Sequence, residues 1–113
     1  MSLRKNKFTL KRLKSKNTLD ALFSNKKSHN TKNLVLKILK KENALFLFAG
    51  VSVPKKNFKK AVERNKIKRQ LRQGLKNIEN KLPFGGSCML IYKGKKPPLT
   101  AEVIDETEAL FFK

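Results

Sequence analysis

The sequence is poor in the residues that build most catalytic and metal-binding sites. It has one cysteine, Cys88, and one histidine, His29, among 113 residues. A single cysteine cannot form an internal disulfide, and neither residue has the partners that a zinc site requires. No serine–histidine–aspartate set and no glycine-rich phosphate loop indicates a catalytic centre. We therefore expect a reducing, cytoplasmic setting, no metal or cofactor bound by the chain, and His29 in a surface loop.

Long apolar runs and acidic residues are also scarce. The longest apolar run, Ala44–Val53, is interrupted by Gly50 and Ser52 and is too short to cross a bilayer. The basic start is not followed by the apolar core of a signal peptide, so neither secretion nor membrane insertion is predicted. Eight acidic residues stand against 28 lysines and arginines, a net charge of +20. Such an excess indicates a polyanionic partner, and nucleic acid is the first candidate.

The length and the apolar content fit one folded domain over residues 1–113, and the charge excess indicates that this domain binds nucleic acid. An apolar fraction of 39% with eight phenylalanines can fill one small core. Residues 1–27 carry a net charge of +8 and residues 55–81 a net charge of +9, whereas the last fifteen residues carry −3. This asymmetry predicts a single binding face. Residues 1–11 are expected to form a flexible basic segment.

Apolar spacing predicts the element order α, β, β, α, β, α. A short helix begins at Ser15 or Thr18 and places Leu19, Leu22 and Phe23 on one edge. The apolar runs Leu34–Leu39 and Ala44–Val53 are separated by a polar turn and predict a hairpin.

The second half of the chain predicts a long helix, a strand and a final helix. Ile67, Leu71 and Leu75 form one stripe of a helix over about Ala61–Lys81. Ser87–Tyr92 follows as a strand, and Thr100 is expected to cap the last helix. Strands before and after a long helix imply a βαβ crossover. The expected fold is an α/β (α+β sandwich) domain, a small twisted sheet with helices largely on one side.

A basic stripe runs along the long helix beside its apolar stripe. Its members lie within about 100° of one another on a helical wheel; they are Asn65, Lys68, Arg69, Arg72 and Lys76. The arginine fork suits phosphate, and an asparagine amide can contact a base edge or a 2′-hydroxyl. A solvated basic face is the alternative, although few acids are present to pair with these cations.

The sequence Ala61–Arg72, AVERNKIKRQLR, resembles the signature of the bacterial ribonuclease P protein component, which reads approximately A-V-x-R-N-R-x-K-R-x-x-R. The resemblance includes Gly50–Val53 and Arg12–Lys16 and covers residues 12–112. It implies a single domain similar to a ribosomal-protein fold, with a left-handed crossover. It also implies binding to a catalytic RNA and to the 5′ leader of precursor tRNA, in a cleft between the first helix and the sheet. The RNA, with Mg²⁺, would carry out the endonucleolytic 5′ cleavage.

The resemblance assigns site residues by position. Within the signature, the expected contacts to the RNA subunit are Arg64, Asn65, Lys66, Lys68, Arg69 and Arg72, and Lys76 of the basic stripe is expected to join them. Lys66 stands where arginine is usual. The expected leader cleft contains Leu19, Phe23 and Lys37, of which Leu19 replaces a usual phenylalanine and Lys37 a usual tyrosine. Neither DNA nor a membrane is an expected partner.

Two other classes of function remain open at this point: a ribosomal or rRNA-binding protein without enzymatic assembly, and a nonspecific DNA-compacting protein. The signature favours the ribonuclease P reading over both. Glu102, Asp105 and Glu106 have a spacing that can bind a divalent ion, but a solvated helix face is the preferred interpretation.

Overall fold

The computed structural model describes residues 9–13, 28–41 and 44–112, and in that part of the chain a five-stranded sheet packs against two α-helices. In chain order the elements are β1 (Thr9–Arg12), β2 (Ser28–Asn30), β3 (Leu34–Lys40), β4 (Phe46–Ser52), α1 (Ala61–Asn77), a 3₁₀ turn (Glu79–Lys81), β5 (Gly86–Tyr92) and α2 (Thr100–Phe111). The mixed class predicted from the sequence is confirmed. The helix predicted near residues 15–23 lies outside the described residues.

The predicted hairpin between the two apolar runs is wrong. β3 and β4 are not neighbours, because β5 lies between them in the sheet order β1-β4-β5-β3-β2. β3 is antiparallel to β5, with Leu36 opposite Leu90, whereas β4 is parallel to β5, with Ala49 opposite Cys88. Most of β5 is buried on both faces, as is typical of a central strand with a partner on each side. β3 and β4 are therefore separated by one strand and do not form a hairpin.

The predicted βαβ crossover is present. β4 leads into α1, and β5 returns beside β4 in the parallel direction. Ile67, Leu71 and Leu75 of α1 are buried in the core, as their spacing predicts. Full burial of such a side chain contributes about 1.5–3 kcal/mol, so this edge of α1 anchors the helix to the sheet.

Both edge strands are too short and polar for the sequence patterns to predict them. β1 has four residues and pairs in parallel with β4, and β2 has three residues and pairs antiparallel with β3. Alternation over so few residues gives almost no periodic signal. Residues 9–11, which the sequence analysis assigned to a flexible segment, form most of β1. His29 is exposed, but it lies in β2 and not in a loop.

The helix α2 packs against α1 and covers the same face of the sheet. Its buried side chains are Val103, Thr107, Leu110 and Phe111. Leu99, and not Thr100, occupies the N-cap position, so the predicted cap is wrong. The Thr100 hydroxyl instead accepts a hydrogen bond from Gln70 Nε2 of α1 at 3.1 Å. This contact ties the beginning of α2 to α1.

Side chains alternate between the two faces of the sheet. Leu36 of β3, Leu47 of β4 and Leu90 of β5 are fully buried on the helix-covered face. Their neighbours along each strand point to the opposite side, which we call the outer face. The outer face carries Lys37 of β3 and Phe46 and Phe48 of β4.

Candidate nucleic-acid interface

The helix α1 presents one cationic surface, which we call the basic face and define as Asn65, Lys68, Arg69, Arg72 and Lys76. Four of these side chains are exposed, and Lys68 is half-buried. Ile67, Leu71 and Leu75 pack α1 against the sheet. The basic face lies next to this apolar stripe on the helix surface, so its side chains project into solvent. The structure therefore brings together the stripe that the sequence predicts.

The two other predicted contacts on α1 lie apart from the basic face. Arg64 is half-buried, and its Nη1 donates hydrogen bonds of 2.8 Å to the carbonyl oxygens of Phe58 and Lys59. Arg64 thus holds the loop that enters α1. Lys66 is exposed, and its position on the helical wheel places it outside the row formed by the basic face.

A shallow groove connects the basic face to the edge of the sheet. It has a volume of about 200 Å³ and lies between α1, β4 and the edge strand β1. Its lining residues are Leu10, Lys11, Arg12, Ala49, Arg72 and Leu75. Arg12 is opposite Ala49 in the β1–β4 register and so lies on the helix-covered side of β1. The groove brings two arginines from distant parts of the chain to one place.

The electrostatics of this groove favour an anion. Partial burial lowers the pKa of Arg72, and the nearby positive charge of Arg12 lowers it further. The two positive charges repel each other, and a phosphate that lies beside them relieves this repulsion. Two planar forks at one site can hold phosphate oxygens through several charge-assisted hydrogen bonds.

The sequence analysis did not identify Arg12 as a site residue. Its strand is short and polar, and its partner Arg72 is sixty positions away in the sequence. One signal was available, since residues 1–27 carry a large share of the positive charge. That signal predicts a contribution to the binding face without predicting which cation supplies it.

Of the predicted leader cleft, only Lys37 falls within the described residues. It is half-buried on the outer face of β3, opposite Ser28 of β2 and Met89 of β5. Leu19 and Phe23 lie outside the described residues. Lys37 and the basic face of α1 are therefore on opposite sides of the sheet.

The acidic residues of α2 have separate environments. Glu106 accepts hydrogen bonds from the Thr31 hydroxyl at 2.6 Å, from the Asn33 backbone N–H at 3.0 Å and from Asn33 Nδ2 at 3.0 Å. It therefore fastens the β2–β3 turn to α2, while Glu102 and Asp105 are exposed. Across the described ranges, no three His, Cys, Asp or Glu side chains are grouped to hold a metal ion.

Cys88 is fully buried in the core, and burial raises the pKa of its thiol to about 12. It is thus a small apolar core residue, as the sequence predicts. A search of the described residues finds no helix that is long and apolar enough to span a membrane.

Comparisons with known proteins identify relatives along nearly the whole chain. A family model described as Ribonuclease P matches residues 9–113. A Ribonuclease P protein component from Brevibacillus brevis is 32% identical over 96 residues, which are 85% of this chain and 75% of the relative. One from Acholeplasma laidlawii is 43% identical over 68 residues, which are 60% of this chain and 57% of the relative.

Solved structures share the fold. The RNase P protein from Thermotoga maritima superposes with a TM-score of 0.76 at 23% identity, covering 89% of this chain and 94% of that one. An RNase P protein from Staphylococcus aureus superposes with a TM-score of 0.64 at 25% identity, covering 100% of this chain and 97% of that one. The arrangement of strands and helices described above is thus an arrangement found in these proteins.

Proposed function

Because the chain belongs to the ribonuclease P protein family, we propose that its basic face binds the catalytic RNA subunit and that the complex cuts precursor tRNA at the mature 5′ end. Members of the family are protein components of a tRNA-processing endoribonuclease, so an RNA partner and a role in tRNA processing follow from membership. The observation that carries the proposal is the row of exposed cations on α1 beside a buried apolar edge.

The basic face acts chiefly on the phosphate backbone. Arg69 and Arg72 can each grip phosphate oxygens through two donors, and Lys76 supplies a point charge at the end of the same row. Each neutralised phosphate releases counterions, so binding weakens steeply as the salt concentration rises. The Asn65 amide adds a group that can both donate to and accept from a base edge or a 2′-hydroxyl.

Hydrolysis is assigned to the RNA subunit. Mg²⁺ held by that RNA would polarise the phosphate and activate the attacking water. The protein contributes positive charge where two polyanions, the RNA subunit and the tRNA precursor, approach each other. We place Lys37 at the 5′ leader, where a lysine amine contacts a phosphate in place of an aromatic ring that would stack on a base.

Reconstitution tests this function directly. The chain is mixed with the candidate catalytic RNA, Mg²⁺ and a 5′-labelled precursor tRNA at near-physiological salt, and the products are sized. We expect one cut at the mature 5′ end when all components are present, and none from the protein and Mg²⁺ alone. Cleavage by protein that has been pretreated with ribonuclease would contradict the assignment of the chemistry to RNA.

Two variants and a competitor sharpen the test. Arg69→Ala should weaken binding to the RNA subunit and flatten its salt dependence by about one unit of slope. Lys95→Ala removes an equal charge from the exposed loop between β5 and α2, outside the basic face, and is the matched control. A ribosomal RNA fragment that binds more tightly than the catalytic RNA would support the rRNA-binding alternative instead.

A further inference from the structure

Two phenylalanines lie partly exposed on the outer face, away from the basic face of α1. Phe46 and Phe48 of β4 are 37% and 38% exposed, and their ring centroids are 5.8 Å apart with the planes tilted by 53°. Leu47 between them is fully buried on the helix-covered side. The rings therefore do not serve the main core, and they meet solvent next to the exposed side chains of Leu39 and Leu45. Clustered exposed apolar side chains of this kind mark binding surfaces.

The two rings line a groove at the end of the sheet where β3 ends and β4 and β5 begin. Its volume is about 660 Å³, within the range of small-ligand sites. Its lining residues are Leu39, Lys40, Lys41, Ala44, Leu45, Phe46, Phe48, Gly86 and Ser87. Gly86 has a φ of +123°, and a β-carbon there would collide with the Leu39 carbonyl oxygen. A glycine is therefore required at this end of the groove.

Lysines lie beside the phenyl rings of Phe46 and Phe48 in the groove. Lys11 Nζ lies 5.3 Å from the centroid of the Phe46 ring, in a cation–π contact. Lys41 lines the opposite side. The Lys40 amine is not available there, because its Nζ lies 5.8 Å from the centroid of the Phe84 ring on the helix-covered side of the sheet. An apolar ligand would not neutralise the lysine charges beside the rings, whereas a ligand with flat rings and phosphates would contact both the rings and the amines.

The edge strand β1 links this groove to the basic face. Lys11 is opposite Phe48 and lies on the outer side, whereas Arg12 is opposite Ala49 and lies on the helix-covered side next to Arg72. Adjacent cations on one edge strand therefore point to both faces of the sheet. A nucleic-acid strand that passes around this edge meets positive charge along the whole path.

We propose that the groove formed by Phe46 and Phe48 binds single-stranded RNA, with a base stacked on the phenyl rings and the flanking phosphates held by Lys11 and Lys41. The proposal rests on the proposed function for the chemical class of the ligand, and it adds a site separate from both the basic face and Lys37. Stacking on an aromatic ring tolerates any base, because every base has a π face. The site would hold an unpaired segment with little sequence preference.

Conservative substitutions separate stacking from packing. Binding of a short fluorescein-labelled oligoadenylate is followed by fluorescence anisotropy for Phe46→Leu, Phe48→Leu and the corresponding tyrosine variants. Leucine keeps an apolar side chain but lacks the flat ring, so each leucine variant should bind about 5-fold or more weakly. The tyrosine variants should bind within about 2-fold of the parent, because the ring is retained.

Phe112→Leu is the matched control, since Phe112 is an exposed phenylalanine at the end of α2. It should leave oligoadenylate affinity unchanged. Equal losses in all three leucine variants, or in the tyrosine variants, would overturn the proposal. Unchanged affinity in both groove leucine variants would also overturn the proposal. The groove would then be assigned to contact with another protein. Melting temperatures recorded in parallel identify any variant that binds weakly because it is unfolded.

A cross-link locates the ligand without any substitution. RNA carrying 4-thiouridine is irradiated on the intact chain, and tryptic peptides are analysed by mass spectrometry. We expect the cross-link in the peptide 42–55, which contains both phenylalanines; a cross-link confined to α1 peptides would contradict the site. Binding of the catalytic RNA subunit is measured for the same variants. Loss of that binding in Arg69→Ala tests the proposed function, whereas the groove variants report on oligoadenylate alone.

Discussion

Gly74 of α1 lies directly against Thr107 of α2. A β-carbon at position 74 would be 2.7 Å from Thr107 Oγ1 and 3.1 Å from Thr107 Cβ. The hydroxyl of Thr107 is fully buried and donates a 2.7 Å hydrogen bond to the Val103 carbonyl oxygen, so it has little room to move. A glycine in mid-helix therefore sets how closely the two helices approach, and with it the position of the basic face over the sheet.

Gly74→Ala should destabilise the fold by up to about 2 kcal/mol. Overpacking costs about 1–3 kcal/mol, and the better helix propensity of alanine offsets about 1 kcal/mol of that cost. Urea denaturation measures the free energy of unfolding. Gln73→Ala, at an exposed neighbouring position, should change it by less than about 0.5 kcal/mol. Adding Thr107→Ala should recover part of the loss, and strict additivity of the two changes would argue against the contact.

The hydrogen bonds around Glu106 predict that the folded protein loses stability in acid. Burial raises the pKa of this carboxyl, but hydrogen bonds from Thr31 and Asn33 together with the charge of Lys32 outweigh burial, so its pKa lies below the usual 4.5. A carboxyl with a depressed pKa in the folded state stabilises the fold above its unfolded pKa. That contribution is lost as the pH falls through the folded pKa. The loss should therefore begin below about pH 4.5.

The matching experiment compares Glu106→Gln with the parent chain from pH 7 downward. At pH 7 the variant should be less stable by about 1 kcal/mol, because the charged carboxylate acceptor is replaced by a neutral amide that forms weaker hydrogen bonds. The loss is modest because position 106 is only half-buried. The difference should shrink as the parent carboxyl becomes protonated. Glu102→Gln, on the exposed side of the same helix, is the control and should follow the parent. A difference that stays constant with pH would exclude the charge as its source.

Arg12 and Arg72 should act together on phosphate. Each single alanine variant should weaken binding to the RNA subunit and reduce the salt slope by about one unit. If the two side chains hold the same phosphate, the double variant should lose less than the sum of the two single losses. Affinity measured across a salt series for all four proteins provides the test. Fully additive losses would show that the two arginines contact separate phosphates.

Leader length tests the predicted cleft. Phe23→Ala and Lys37→Ala should weaken the binding of precursors with a long 5′ leader. Binding of precursors with a one-nucleotide leader should not change. Lys37→Ala should also reduce the salt dependence for long leaders, since a phosphate contact is lost. If Phe23 instead belongs to the core, its alanine variant should lose about 3–5 kcal/mol of stability with unchanged leader discrimination. Melting temperature and affinity measured side by side distinguish the two outcomes.

Local patterns in the sequence were sufficient for the two described α-helices and for the basic face. The spacing of Ile67, Leu71 and Leu75 places them on one side of a helix, and this side is buried. The basic face lies next to that side on the helix surface and is therefore left in solvent. The crossover could also be predicted, because a long helix between two apolar strands leaves few other arrangements. The family signature lies within one helix, which is why it could be read without knowledge of the sheet.

The pairing of the strands was decided by tertiary structure. Backbone hydrogen bonds are the same for any two strands, so the apolar runs Leu34–Lys40 and Phe46–Ser52 could equally have paired with each other; the doubly buried β5 separates them. The same pairing brings Arg12 to Arg72, because β1 adds to β4 at the edge next to α1. Strand order depends on how all the elements share one core, and the periodicity of a single segment contains no information about its distant partners.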